Sequence, residues 1–249
     1  MRKFVLLIFL ILIVQLVKGQ RIVNDTICTK DTVIVQGIWT FPKDTKLADP
    51  SGSFFALYCD YRKKIGFRFD FGFSQYLYEN SVTDWLGFHQ GTNLNFILVY
   101  DKFNIGFRFK PWTTNPKSEI QFDNKVLTKE ADLNPLKFDY YIGYEIDLGN
   151  SISLEPSVGY TECKFKVINE VEINEKFSFN STNGLLLGMT FNKYFVVFNY
   201  SYVALFCRIN HGFVDFSEIH NDLQGNYTEL CLGVSYKLYW KERRYNIIK

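Results

Sequence analysis

Histidine and proline are scarce in this sequence, neither sign of charge dominates it, and no segment after residue 20 shows sustained helical periodicity. Each lack excludes something. With only three histidines (His89, His211, His220) there is little material for a histidine-built metal or catalytic centre. The Gly-x-Ser-x-Gly elbow, the phosphate loop and the zinc spacings are likewise absent. Lys and Arg number 28 against 26 Asp and Glu, and nothing in that balance points to nucleic acid. Five cysteines (28, 59, 163, 207, 231) make neither a metal-like spacing nor the dense, even set of a disulfide-built domain. They read mostly as free thiols inside or beside strands.

What the chain has instead is aromatic residues. It carries 25 Phe and 16 Tyr against 6 Pro, a composition far from disorder and suited to strands. Residues 1–19 carry Arg2 and Lys3, then an unbroken apolar run from Phe4 to Val14, with Val17 and Gly19 where a signal peptidase cuts. This reads as an export signal and is set aside from the fold. Its removal takes Arg2, Lys3 and Lys18 and no acid, so the formal charge moves from +2 to about −1. The remainder is of a size for one domain.

Period-two alternation recurs throughout. From Ile65, one parity holds Ile65, Phe67, Phe69, Phe71 and Phe73, and the other holds Gly66, Arg68, Asp70, Gly72 and Ser74. The same contrast runs through 103–110, 136–148 and 230–240, with one face apolar and the other carrying charges of both signs. Ile-Gly-Phe-Arg-Phe occurs twice, at 65–69 and 105–109, but the related glycines 66, 106, 143, 159, 188 and 233 keep no fixed period, which excludes propeller blades. Tight joints at 61–63, 101–102, 149–150 and 192–194 alternate with long polar stretches near 42–52, 77–91, 113–133, 166–183 and 208–225. The strands this implies are 32–41, 53–60, 64–76, 92–100, 103–112, 134–148, 151–165, 184–191, 195–207 and 226–240, about ten, with eight the smaller count that the pattern allows. Four segments follow: signal peptide 1–19, an N-terminal periplasmic segment 20–31, a barrel 32–240 and a C-terminal periplasmic tail 241–249.

Alternation does not say which face points inward. A soluble lipocalin-like barrel would hide the apolar face and bind an apolar ligand, whereas a membrane barrel would show that face to lipid. Strands of 12 to 15 residues suit a tilted crossing of roughly 9–11 residues. Tyr100, Trp112, Tyr160, Tyr236 and Trp240 lie near strand ends, as an interfacial girdle requires. With its export signal, its short turns set against long loops, "LEPSVGY" at 154–160 and the last strand "LGVSYKLYW" at 232–240, the chain resembles the small, porin-like outer-membrane β-barrels of Gram-negative bacteria, in the Phe/Tyr/Asn/Lys-rich style of the Bacteroidota. The resemblance implies an all-β, closed, antiparallel up-and-down barrel integral to the outer membrane, with short periplasmic turns and long extracellular loops. It implies outer-membrane lipid and the barrel-assembly machinery as partners, the latter reading a terminal aromatic such as Tyr239 or Trp240. An envelope protein is a further candidate partner.

In that arrangement Arg68, Arg108, Glu145 and Glu155, with Lys237 joining, form a lumenal ion-pair cluster, because buried charges must be paired. A narrow barrel is then filled by side chains. The function expected is a non-enzymatic barrel that is structural, adhesive or partner-binding through its loops. Alternatives are a narrow pore or transport accessory, and a surface hydrolase. Omptin-type proteases require Asp-x-Asp and Asp-x-His, and barrel lipid A deacylases require His-x-Ser; none of these occurs. The one local cluster is His211, Asp215, Glu218, His220 and Asp222 in the last loop, where two histidines among carboxylates suit acid–base work. No cofactor or metal is expected.

Overall fold

The computed structural model describes residues 26–34, 53–111, 113–122, 125–168, 177, 179–198 and 200–248, with 26–34, 53–61, 122, 198 and 243–248 as backbone alone. The strands, in chain order, are β1 Thr26–Ile34, β2 Ser53–Tyr78, β3 His89–Tyr100, β4 Phe103–Lys110, β5 Ile120–Phe122 and β6 Lys125–Leu127. Then come β7 Leu133–Tyr144, β8 Ile146–Gly149, β9 Ile152–Val167, β10 Thr182–Phe198, β11 Ser201–Val214 and β12 Tyr227–Ile248. A short helix, α1 (Asn80–Leu86), joins β2 to β3.

Antiparallel pairing runs β2–β12–β11–β10–β9–β7–β4–β3 and returns from β3 to β2, closing a barrel of eight strands. Closure leaves no open edge around the ring. A walk from Gly66 through Val99, Asn104, Gly143, Ser157, Gly188, Asn210 and Glu229 comes back to β2 at Tyr76, ten residues further on. With a rise of roughly 3.3 Å per residue and strands roughly 4.8 Å apart, that stagger tilts the strands about 40° from the barrel axis.

The count falls from ten to eight for two reasons. Residues 53–60 and 64–76 are one strand, because the polar "YRKK" at 61–64 bends as a bulge and not as a turn: β12 passes from Tyr239 to Lys241 while β2 passes from Gly66 to Arg62. And β1 is outside the ring. Among the described residues it pairs only with β2, below the barrel, from Thr26↔Tyr61 to Ile34↔Ser53; residues 35–41 of the strand expected there lie outside the described residues. The tight turn expected at 192–194 falls instead after Phe198, where β10 ends, with Tyr200 at φ 67° before β11 begins at Ser201. Asn192 and Tyr194 continue the inward parity of β10, and Lys193, outward by parity, bends back to donate to the Asn150 carbonyl at 2.7 Å. Asp101 (φ 57°) and Asn150 (φ 52°) occupy the two tight turns that fall where the sequence placed them. Asp and Asn tolerate that left-handed backbone better than bulkier residues do.

Phe55–Arg62 of β2 and Lys241–Ile248 of β12 pair beyond the short-turn rim, and β1 lies alongside them. The result is a three-stranded tongue roughly 25 Å long. Residues 241–248, read from sequence as a tail, are therefore strand.

The apolar parity faces outward. Phe67, Phe73, Phe96, Leu98, Ile105, Ile142, Leu187, Met189, Ile209, Leu232 and Val234 are all exposed on the outer wall. Arg68, Asp70, Arg108, Asp139, Arg208 and Glu229 are buried in the lumen. A water-soluble monomer does not show so continuous an apolar surface. The molecule is a transmembrane β-barrel of the outer-membrane type, and the soluble lipocalin-like reading falls on this orientation.

Candidate functional site: a filled lumen beneath a loop cap

The lumen is built by parity and stagger together. Residues two apart on a strand face inward at successive heights, and the ten-residue stagger brings residues far apart in sequence to one level. Eight strands enclose a space that side chains can just fill. Among the described residues five acids (Asp70, Asp139, Glu145, Glu155, Glu229) meet six cations (Arg68, Arg108, Lys110, Lys137, Arg208, Lys237), so the interior is close to neutral.

Nearest the short turns, Lys237 pairs with Glu145, which also accepts from Ser153 Oγ at 2.8 Å. At mid-height Arg68 Nη1 reaches Glu155 at 2.6 Å, and its Nε lies 3.2 Å from Asp70. Asp70 is held in turn by Arg208, by Ser235 Oγ at 2.7 Å and by Asn95 Nδ2 at 2.8 Å. Higher still, Lys110 bridges Asp139 and Glu229, the latter at 2.6 Å. Glu229 also accepts from Asn210 (2.8 Å), Asn93 (2.9 Å) and Ser74. Arg108 lies 3.6 Å from Asp139, and its guanidinium sits 3.8 Å above the Tyr141 ring. Above these, Lys137 donates to the Tyr78 hydroxyl at 3.1 Å and lies 3.4 Å from the centroid of Tyr227.

The long-loop end is closed by a second, apolar core. Val82, Trp85 and Leu86 of α1 pack with Phe216, Ile219 and Leu223 of the last loop, with Leu127, and with the strand ends Leu133 and Phe165. The Trp85 and Phe165 rings lie 5.3 Å apart, tilted by 40°, and Tyr78 meets Phe216 edge-on at 5.8 Å. Polar bonds lock the loops together: Lys117 N donates to the Trp85 carbonyl at 2.6 Å, and Ser81 Oγ donates to the Asp222 carbonyl at 2.7 Å. At the opposite end a vestibule of about 270 Å³ opens between Arg62, Lys102, Asp147, Tyr194 and Tyr239. Its floor is the Lys237–Glu145 pair.

The five residues expected as one lumenal cluster divide into three pairings. Arg68 meets Glu155, Lys237 meets Glu145, and Arg108 meets Asp139 in place of either glutamate. Asp70, Lys110, Lys137, Asp139, Arg208 and Glu229 complete the ladder and were not in that set. Five share the inward parity legible in sequence, but 208 falls in a stretch that read as loop. The two glycines of the repeated pentapeptide make room for rings. A Cβ on Gly106 would stand 2.2 Å from the Tyr141 ring, and one on Gly66 would stand 2.9 Å from Tyr239.

The last-loop cluster is dispersed. His211 is on β11, 3.0 Å from Thr228 Oγ1. Asp215 caps the turn at 216–218, where bonds from Ser217 hold its carboxyl below the usual range. Glu218 is exposed, while His220 contacts the Gln121 carbonyl at 2.9 Å and lies 3.7 Å from Asp222. Among the described residues no group of three or more His, Cys, Asp or Glu is placed to hold a metal. Of the aromatic girdle, Tyr100 and Trp240 face outward at the short-turn rim, Tyr236 lies a turn higher, and Tyr160 stands near the middle of β9. Trp112 lies outside the described residues.

No protein-family model matches the chain, and no curated protein matches it either. Solved structures do. Neisserial surface protein A is similar at TM-score 0.44 and 10% identity, covering 72% of this chain and 98% of that one. Ail of Yersinia pestis, in complex with the heparin analogue sucrose octasulfate, is similar at TM-score 0.40 and 12% identity over 70% and 97%. OprG of Pseudomonas aeruginosa is similar at 0.39 and 12% over 74% and 97%. At these identities the likeness is one of fold.

Proposed function

We propose that the chain is a non-enzymatic, non-conducting outer-membrane barrel that acts through the surface of its long-loop cap, on structural, adhesive or partner-binding contacts outside the cell. The observation that carries this reading is the obstruction of the lumen twice over. A charge ladder runs from Lys237 to Lys137, and a separate apolar core of Val82, Trp85, Phe216 and Leu223 lies above it. Both layers would have to be dismantled to let a solute pass. The short-turn vestibule ends blind on Lys237 and Glu145, which favours a plug over a narrow pore or transport accessory. The contacts that interlock the described loop residues support a contact surface, since a surface held in place binds with less entropy lost. Outer-membrane lipid surrounds the wall, and the short turns and the tongue face the periplasm, as in other barrels of this type. There the assembly machinery meets Trp240, and an envelope protein can reach the tongue.

Planar-bilayer recording tests the reading. Wild-type protein is expected to give no steady unit current. Unit currents that Arg68→Ala alters would overturn it and make the ladder a selectivity filter.

A further inference from the structure

Two of the five cysteines are brought into register by the fold. Cys28 on β1 stands directly opposite Cys59 on β2, in a ladder running unbroken from Thr26↔Tyr61 to Ile34↔Ser53. Opposed residues of an antiparallel ladder share one face of the sheet, and their Cα atoms lie roughly 4.5 or 5.5 Å apart according to the hydrogen-bonding class. Both separations fall within the roughly 4.4–6.8 Å that a disulfide bridges. The other three cysteines have no such arrangement. Cys163 is buried opposite Lys137 and Thr182. Cys207 and Cys231 sit on neighbouring strands but on opposite faces of the wall, the first exposed and the second buried.

The location supplies the second argument. The opposed pair lies in the tongue, beyond the rim where β2 leaves the ring. On the reading above, which this inference rests on, that is the oxidising periplasmic side. β1 is also the strand with most to gain, since its only neighbour among the described residues is β2.

We propose that Cys28 and Cys59 form a cross-strand disulfide that fastens β1 to the tongue. The oxidant is the disulfide of a thiol–disulfide oxidoreductase of that compartment. One of the two thiolates attacks it, forming a mixed disulfide and releasing the oxidoreductase's other sulfur as thiolate; the second cysteine thiolate then attacks the mixed disulfide. The Cys28–Cys59 bond forms, and two electrons and two protons pass to the oxidoreductase, which leaves as a dithiol. The bond closes the chain between 28 and 59 into a covalent loop, so β1 cannot leave the sheet edge without carrying β2 with it.

Thiol counting tests this. Full-length exported protein, extracted from membranes and denatured directly in maleimide-polyethylene glycol, is expected to take three labels without reductant and five after reduction. Cys28→Ser is expected to take four in both conditions, because it leaves Cys59 alone. Five labels in the unreduced wild type would overturn the proposal. So would a drop to two in unreduced Cys28→Ser, or a disulfide-linked dimer, since each assigns any bond to other partners. Mobility of the unboiled protein on the same gels separates the two readings. A compact barrel band with five labels defeats the disulfide alone, whereas no compact band defeats the barrel reading beneath it.

Discussion

A charge fully withdrawn from water has to be answered by a charge or by several dipoles, and Glu229 is the residue on which most of this lumen's answers meet. It accepts from Lys110, Asn210, Asn93 and Ser74, and no part of it reaches solvent. Glu229→Gln preserves volume while removing the charge that Lys110 faces and pointing an amide at donors. Breaking a buried pair from one side costs about 3–5 kcal/mol where the surviving charge is left uncompensated, and because Asp139 stays beside Lys110 the lower end of that range applies. A loss of that size is expected in urea titrations of the folded barrel in detergent. A loss within about 0.5 kcal/mol, the range of ordinary surface changes, would mean that the ladder is not electrostatically coupled. At this scale the sequence showed which face is charged and not who pairs with whom. Arg68 and Arg108 occupy equivalent places in the repeated pentapeptide, yet the first meets Glu155 and the second Asp139. The difference comes from the stagger around the ring, and no single strand carries that quantity.

At the scale of elements, the cap is the structure's own addition. "NSVTDWL" places Val82, Trp85 and Leu86 at i, i+3 and i+4, a single helical stripe. Seven residues are too few for an isolated helix to persist in water, so α1 exists because its stripe is buried. The signal was present but too short to stand out among polar neighbours, and these segments read as plain loops. "YRKK" at 61–64 misled in the opposite sense: a run of polar residues imitates a turn, while a bulge in a long strand needs the same residues to reach solvent at the rim. Trp85 anchors the cap, being 1% exposed and in ring contact with Phe165. Trp85→Ala removes about 3–5 kcal/mol of packing. Because that packing joins loops and not strands, the loss is expected as local opening. Protease added to intact cells should cut within 113–130 or 215–226 at least about a hundredfold faster than in wild type, with the barrel still folded. Equal cleavage rates would show that the loops are held without the apolar core.

For the whole molecule, the decisive quantity is the environment of the outer wall. Period-two alternation made a closed sheet legible, and the charged parity, too rich for a soluble core and too regular for loops, indicated lipid outside. Inside-out order of this kind has a cost that depends on depth: an arginine on the lipid face destabilises a barrel by about 2–4 kcal/mol at the membrane's middle and by about 0–1 kcal/mol near its surfaces. Ile209 lies near the middle of β11, 50% exposed on the outer wall, between Met189 and Leu230 on the adjacent strands. Tyr100 is no less exposed, at 57%, but lies at the short-turn rim. Unboiled wild-type protein is expected to run faster than boiled protein, as a closed barrel that resists detergent. In Ile209→Arg the temperature at which the compact band disappears should fall well below that of wild type, whereas Tyr100→Arg should leave it nearly unchanged. Equal effects at the two positions would mean that the wall feels no gradient of depth, which only a bilayer supplies. A protein in water would respond to both substitutions alike, and both would improve its solubility.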